Sequence, residues 1–476
     1  MQKINQISQK KSRPVKVLQF GEGNFLRAFA DQMIDVANKK DLFNGNIQII
    51  KSIPHGSLKP LIEQDYVYTV ILRGIKDGST YVEKHIVESI EGATASYEDY
   101  TEYAKFAKSE DLRFIISNTT EAGIVYDDTD RFELEPPNSY PGKLTKLLYE
   151  RFVFYSGAKE KGLIILPVEL IEKNGEKLLE CCKLMAENWN LPQTFLDWLF
   201  SSNIFCNTLV DRIVTGYPGE EAQSLEKELG YTDKLLVVGE PFALWVIENK
   251  NEVVAEEFPL DKAGLPVVFT DNLQPYRERK VRILNGGHTA TVAAAYLSGL
   301  DTVGEMMKDE TIRSFLETVV YKELAPRVPL PESEVKLFAD SVMERFENPF
   351  IKHNLLSITL NSVSKFRTRV LPTIFETVEE TGVLPKHLCF SLAALVELYC
   401  VGERDGVPYE IIDDEDVLNF FSEHKSDELH DLVSKLLSRN DFWGEDLTKV
   451  SELLKTITSN LQSIRKYGMR KAIEMV

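Results

Sequence analysis

Nowhere in its 476 positions does the chain hold a run of about 18 apolar residues, the length a membrane-spanning helix requires. The five cysteines (Cys181, Cys182, Cys206, Cys389 and Cys400) form no CxxC pair and do not suggest a disulfide framework. HExxH and comparable ligand spacings are missing, and the seven histidines are scattered, so no metal site is expected. An excess of positive charge is lacking too. Fifty-five Lys and Arg stand against 74 Asp and Glu, giving a net charge of −19, which disfavours nucleic acid and anionic membranes as partners. An anionic small molecule stays compatible, because a local basic pocket can sit on an acidic chain. Low-complexity segments and internal repeats are absent. The opening "MQKINQISQKKSRPVKVLQF" carries basic residues but no apolar signal core. The expectation is a cytoplasmic protein with reduced thiols, a monomer or weak homo-oligomer, too long for a single core and built of two or three domains.

What is present begins with "VKVLQF" (Val15 to Phe20), which reads as a buried strand. It runs into "GEGNFLRAFADQMIDVANKK", a helix expected from about Asn24 with Phe25, Phe29, Met33 and Val36 on its apolar face. "NIQIIKSI" follows as a second strand, so about forty residues make a βαβ unit. "YVYTVILRG" and "TYVEKHIVESI" suggest a hairpin insertion. "LRFIISNTTEAGI" and "KGLIILPVEL" are short apolar runs with polar ends, as parallel strands finish at a ligand crevice. After about Leu265 the texture changes, and from Lys280 nearly every segment reads as helix. The architecture predicted is α/β: a dinucleotide-binding domain over 1–275 and a mainly α-helical domain over 276–476 for substrate and catalysis.

Two places carry chemistry. In "FGEGNF" Gly21 and Gly23 stand between first strand and first helix, where glycines let a pyrophosphate approach the backbone and the helix N-terminus. The third glycine of GxGxxG is replaced by Leu26. The acid expected at the end of the second strand is replaced by "KSIPH", Lys51 to His55, and this basic start leaves NAD against NADP open. The other place is "KVRILNGGHTATVAAAYL", a helix that tolerates Gly286 and Gly287 beside polar groups although glycine costs about 1 kcal/mol relative to alanine. At 3.6 residues per turn, Lys280, Asn285 and His288 fall within an arc of roughly 140°. A desolvated lysine can exchange protons near neutrality, and Asn and His can hydrogen-bond a carbonyl or alkoxide oxygen. "NSVSKFRTRVLP" adds Lys365 and Arg369 on one helical face, with Arg367 opposite, and the first two are candidates for binding a carboxylate.

"FGEGNFLRAF", "NTTEAGI", "NTLVDRI", "EPFALWVIE", "KVRILNGGH" and "RFENP" occur in the order in which the long-chain polyol-specific, or mannitol dehydrogenase, family carries them. The sequence resembles that family, most specifically in Lys-x4-Asn-x2-His. The resemblance implies a Rossmann-like N-terminal domain, NAD as coenzyme, and Lys280 as general acid/base with Asn285 and His288 polarising the reacting oxygen. It implies a coenzyme site at Gly21, Gly23, Asn24, Phe25, Thr120, Glu121 and Asp211. Where mannitol dehydrogenases have Asp-Asn, this chain has Glu169 and Leu170, which argues against a simple polyol and fits a sugar acid. The expected reaction interconverts a keto hexuronate and an aldonate without a metal. The alternatives are a hexuronate of another epimer, a polyol, or a silent NADH-binding redox sensor. The two glycines of the lysine helix are expected to give close approach to coenzyme or to the facing domain.

Overall fold

The computed structural model describes residues 1–120, 122–248 and 252–476. The chain forms two compact units, one of Met1–Arg73 with Thr80–Leu273 and one of Gly74–Ser79 with Gln274–Val476.

The first unit is built on a six-stranded sheet. Its strands in chain order are β1 (Val15–Phe20), β2 (Asn46–Lys51), β3 (Ile90–Ala95), β4 (Phe114–Ser117), β5 (Ile164–Pro167) and β6 (Ile204–Phe205). In space they run β3-β2-β1-β4-β5-β6, every pairing parallel. That is the order of a dinucleotide-binding fold, with its topological switch point between β1 and β4. Both faces of the sheet are covered, so apolar residues of one strand serve both sides. Val17, Ile49, Ile116 and Ile164 pack to one side with Phe29, Met33, Trp245 and Phe258. Leu18, Phe20, Ile50, Ile115 and Ile165 pack to the other with Tyr103, Leu144, Leu147 and Trp198. The period-two alternation of a strand thus divides one set of residues between two cores.

The helix expected from Asn24 does form, but as two pieces, α1 (Asn24–Arg27) and α2 (Ala30–Lys39). Phe29 breaks it at φ −129°, ψ −86°. Arg212 reaches into that break and donates to the Ala28 carbonyl at 2.7 Å. Strands outside the main sheet include Thr208–Asp211, antiparallel to Leu244–Glu248, which in turn pairs in parallel with Val267–Thr270.

Over Gln274–Val476 the second unit is mainly helical, with a two-stranded ribbon, Glu403–Arg404 with Val407–Pro408. At its centre lies Lys386–Val401, whose residues Leu388 to Tyr399 are all buried. A helix hydrophobic all round is what an interior position requires. It packs against Gly287–Leu297 and Leu453–Tyr467. "HNLLSITLNSVSKF" breaks into Leu355–Ile358 and Ser362–Arg369, with Asn361 left-handed at φ +52° between them. Among the described residues no helix is long and apolar enough to cross a membrane, and none of the five cysteines is in a disulfide.

Candidate active site

The glycine turn follows directly from β1. Gly21 has φ +122°, and a Cβ there would stand 3.2 Å from the Asn118 carbonyl and 3.3 Å from a Leu26 methyl. Only glycine meets both demands. Gly23 is of another kind: its conformation is ordinary and a Cβ would meet nothing within 4 Å. The turn is therefore tight where it meets the end of β4 and open at Gly23, as a bound pyrophosphate requires. Phe25 stacks on Phe29 at 4.9 Å and closes the turn from below. Asn24 is exposed, with Oδ1 accepting from Arg27 at 2.5 Å, while Arg27 also donates to the Leu235 carbonyl. Its side-chain oxygen is thus engaged by Arg27.

The loop after β4 carries Thr120 at φ +70°. A β-branched residue in the left-handed region is a strained outlier, of the kind that clusters at functional sites. The loop is anchored by Glu169, which is 2% exposed. Its carboxylate accepts from the Thr119 N–H and hydroxyl, both at 2.9 Å, and from the Ser117 hydroxyl at 3.1 Å. Burial raises its pKa, and these hydrogen bonds work in the opposite direction. The residue standing where mannitol dehydrogenases have Asp thus fixes the loop after β4, while Leu170 beside it is exposed. Glu121 lies outside the described residues. Asp211 is buried at the end of its strand and engaged by neighbours, and Arg212 next to it holds the α1–α2 break.

In the second unit the lysine helix departs from expectation. Lys280–Gly286 is a π-helical segment between the α-helical Gln274–Arg279 and Gly287–Leu297. The 3.6-residue geometry therefore does not apply there. With hydrogen bonds spaced i to i+5, Lys280 and Asn285 sit one turn apart along the axis. Three residues on, His288 begins the regular helix. Single π turns recur at functional sites because they re-aim side chains within a helix.

Gly286 and Gly287 explain how neighbours reach this segment. A Cβ on Gly286 would stand 3.2 Å from the Arg369 carbonyl, and one on Gly287 would stand 3.2 Å from a Val320 methyl. The expectation of coenzyme or the other domain at these glycines is corrected: residues of the same unit fill the space. Val320 belongs to a second π segment, Val319–Leu324. Gly286 lets the end of Ser362–Arg369 come down on the lysine helix, which brings Arg369 close.

His288 stacks on Phe346 at 4.0 Å and meets the edge of His353 at 5.5 Å. Its Nε2 is buried and has no hydrogen-bond partner among the described residues. Burial, followed by His353, Arg345, Arg369 and Lys365, pushes its pKa well below 6.5, so the ring is neutral near pH 7. Arg369 donates weakly to Thr289 at 3.4 Å, and Lys365 to the Ile358 carbonyl at 3.0 Å. Arg367 points elsewhere, to the Asp441 carbonyl. Asn285 and Arg369 line a cavity of about 450 Å³. Arg282, another cation on the segment, is committed to both carboxylate oxygens of Glu376 at 2.5 Å. Arg345 and His353 were not singled out from sequence. The former lies in "RFENP", but its place beside His288 is set by tertiary packing.

Residues 15–262 match the mannitol dehydrogenase Rossmann domain and residues 272–465 the mannitol dehydrogenase C-terminal domain. The chain belongs to the mannitol dehydrogenase family. It is 46% identical over 470 residues to an altronate oxidoreductase of Yersinia enterocolitica, with 97% of each chain covered. An altronate oxidoreductase of Escherichia coli is 44% identical, over 97% of this chain and 96% of its own. Among solved structures, a D-sorbitol dehydrogenase in substrate-free form matches with TM-score 0.82 at 21% identity, covering 99% of this chain and all of the other. The Pseudomonas fluorescens mannitol 2-dehydrogenase, in ternary complex with NAD and D-mannitol, matches with TM-score 0.69 at 22% identity, covering 98% and 94%.

Proposed function

We propose that this family member is an NAD(H)-dependent oxidoreductase that interconverts a keto hexuronate and an aldonate, tagaturonate and altronate being the first choice. The likeness to altronate oxidoreductases across nearly the whole chain supports the substrate class. We assign the coenzyme to the domain up to about residue 275 and the substrate chemistry to 276–476. Gly21, Gly23 and the backbone of Asn24 and Phe25 receive the pyrophosphate, and the loop of Thr120 borders the nicotinamide. When bound, the coenzyme supplies or accepts the hydride at the carbinol carbon.

The substrate oxygen is placed between Asn285 and His288 Nε2, which hydrogen-bond it as negative charge develops during reduction. Lys280 delivers the proton to that oxygen and recovers it in the reverse direction. Arg369 and Lys365 bind the substrate carboxylate, a planar anion that a guanidinium matches bidentately. The observation that carries this reading is the buried, unpartnered His288 Nε2, beside His353 and within electrostatic reach of Arg345, Arg369 and Lys365. That arrangement suits an anionic substrate with an oxygen to polarise, and fits a neutral polyol less well.

The test is NADH consumption by the purified protein with tagaturonate, fructuronate and fructose in parallel, chelator present. Preference for tagaturonate supports the assignment, and activity on fructose alone overturns the sugar-acid reading. A non-catalytic NADH sensor is separated by Lys280→Ala, which leaves a sensor indifferent.

A further inference from the structure

Resting on the reading of the first unit as an NAD site, we infer that Glu98 is the residue that reads the adenosine ribose, and that it makes the chain select NADH over NADPH.

Dinucleotide folds recognise that ribose just past the end of the second strand. A carboxylate there accepts from the 2′-hydroxyl of NAD, or a cation there receives the 2′-phosphate of NADP. This chain ends β2 on Lys51, which by sequence invites the phosphate. The structure removes it from that role. Lys51 is 1% exposed, and its ammonium donates to the Gly56 carbonyl at 3.1 Å, the His55 carbonyl at 3.5 Å and Glu98 Oε1 at 3.2 Å. An ammonium has three donors, and all three are committed. They fold the loop after β2 back over the strand end.

Glu98 comes from the neighbouring strand. Ser96, just past β3, donates to the Lys51 carbonyl from both its N–H and its hydroxyl, at 3.2 and 3.1 Å. This locks the exit of β3 to that of β2. Two residues on, Glu98 is 72% exposed, and its Oε2 has no hydrogen-bond partner among the described residues. The missing acid of β2 is thus replaced from β3, held in place by the basic residue that displaced it. Glu22, in the glycine turn, lies within electrostatic reach of the same ammonium. A ribose hydroxyl at this rim finds an acceptor in Glu98. A 2′-phosphate finds the Glu98 carboxylate beside an ammonium already committed to three acceptors. Lys51 is a positioning residue, and the selectivity belongs to the carboxylate it holds.

The experiment titrates reduced-nicotinamide fluorescence with NADH and NADPH on the full-length protein and on Glu98→Ala and Glu98→Gln, with a thermal scan as the folding control. Glu98 is exposed, so both variants should melt with the wild type. The wild type should bind NADH more tightly than NADPH. Glu98→Ala should lower that ratio by about tenfold or more, the scale of one hydrogen bond to a charged group. Glu98→Gln keeps an acceptor but loses the charge, and should fall between. An unchanged ratio in Glu98→Ala with tight NADH binding overturns this inference and leaves the proposed function standing. Wild-type preference for NADPH overturns it as well. Binding of neither nucleotide overturns both.

Discussion

Asp31 sits in the first turn of α2, and replacing it with asparagine should stabilise the protein increasingly as pH rises. Asp31 is completely buried. Its Oδ2 accepts from the Tyr68 hydroxyl at 2.9 Å, while Oδ1 has no hydrogen-bond partner among the described residues. Gln19 Oε1 is equally unpartnered, and Gln19 donates its amide to the Gly21 carbonyl at 3.1 Å. Burial, against the pull of Tyr68 and the Arg27 guanidinium, raises the Asp31 pKa from 3.8 to about 7. Between those two values the folded protein holds a proton that the unfolded chain has released, so stability falls as pH rises through that window and is lowest above about 7. The gap corresponds to about 4 kcal/mol at full extent, of which roughly 2.5 kcal/mol develops between pH 5 and pH 8. Asparagine keeps an acceptor for Tyr68, brings an N–H for Gln19, and does not ionise. Urea unfolding followed by tryptophan fluorescence at both pH values reads the difference, since Trp245 packs on Phe29 at the end of the α1–α2 break. Asp31→Asn should gain on the wild type by about 2–3 kcal/mol more at pH 8 than at pH 5. An equal shift at both pH values, or a variant weaker at pH 8, refutes the reasoning.

Lys280→Ala should lower kcat at least about a hundredfold while NADH binding, read by fluorescence, stays within twofold. Gly287→Leu should lower stability by about 1–3 kcal/mol through overpacking against Val320 and Leu316. Coenzyme affinity should be unchanged, and its loss would restore the idea that this glycine faces the coenzyme. Arg369→Ala should raise KM for the sugar acid about tenfold or more, with Arg369→Lys recovering only part. Equal effects on an uncharged ketose would show that Arg369 does not bind the carboxylate.

The βαβ start was legible because Val15–Phe20 and Asn46–Lys51 are short segments rich in Val, Ile, Leu and Phe on either side of an amphipathic helix, and each feature is local. The break at Phe29 was not, since it depends on Arg212 arriving from far along the chain. Lys280, Asn285 and His288 could be picked out as a set, yet their relative aim could not. The π turn reflects how Val319–Leu324 and Arg369 press on Gly286 and Gly287, and a periodicity count assumes the helix it is meant to test. Lys51 left the coenzyme preference open for a related reason. Residue type gave a cation at the ribose position, whereas its burial and the Glu98 partner come from the pairing of β2 with β3.

The surroundings of His288 also decide how the proposed chemistry divides among residues. Burial first, and then the charges of His353, Arg345, Arg369 and Lys365, push the pKa of this imidazole, stacked on Phe346, well below 6.5. It therefore cannot store a proton for the reaction, though it can still donate a hydrogen bond from one ring nitrogen. In the proposed mechanism the proton therefore comes from elsewhere in the set, and the role falls to Lys280, one π turn from Asn285. The same cations that keep His288 neutral favour a carboxylate beside it, so substrate binding partly cancels the field that holds the imidazole uncharged. A neutral substrate would bring no such compensation. If the proposed roles hold, selectivity for the acid and the protonation state of His288 rest on one cluster, and weakening it at Arg369 or Lys365 should change both together.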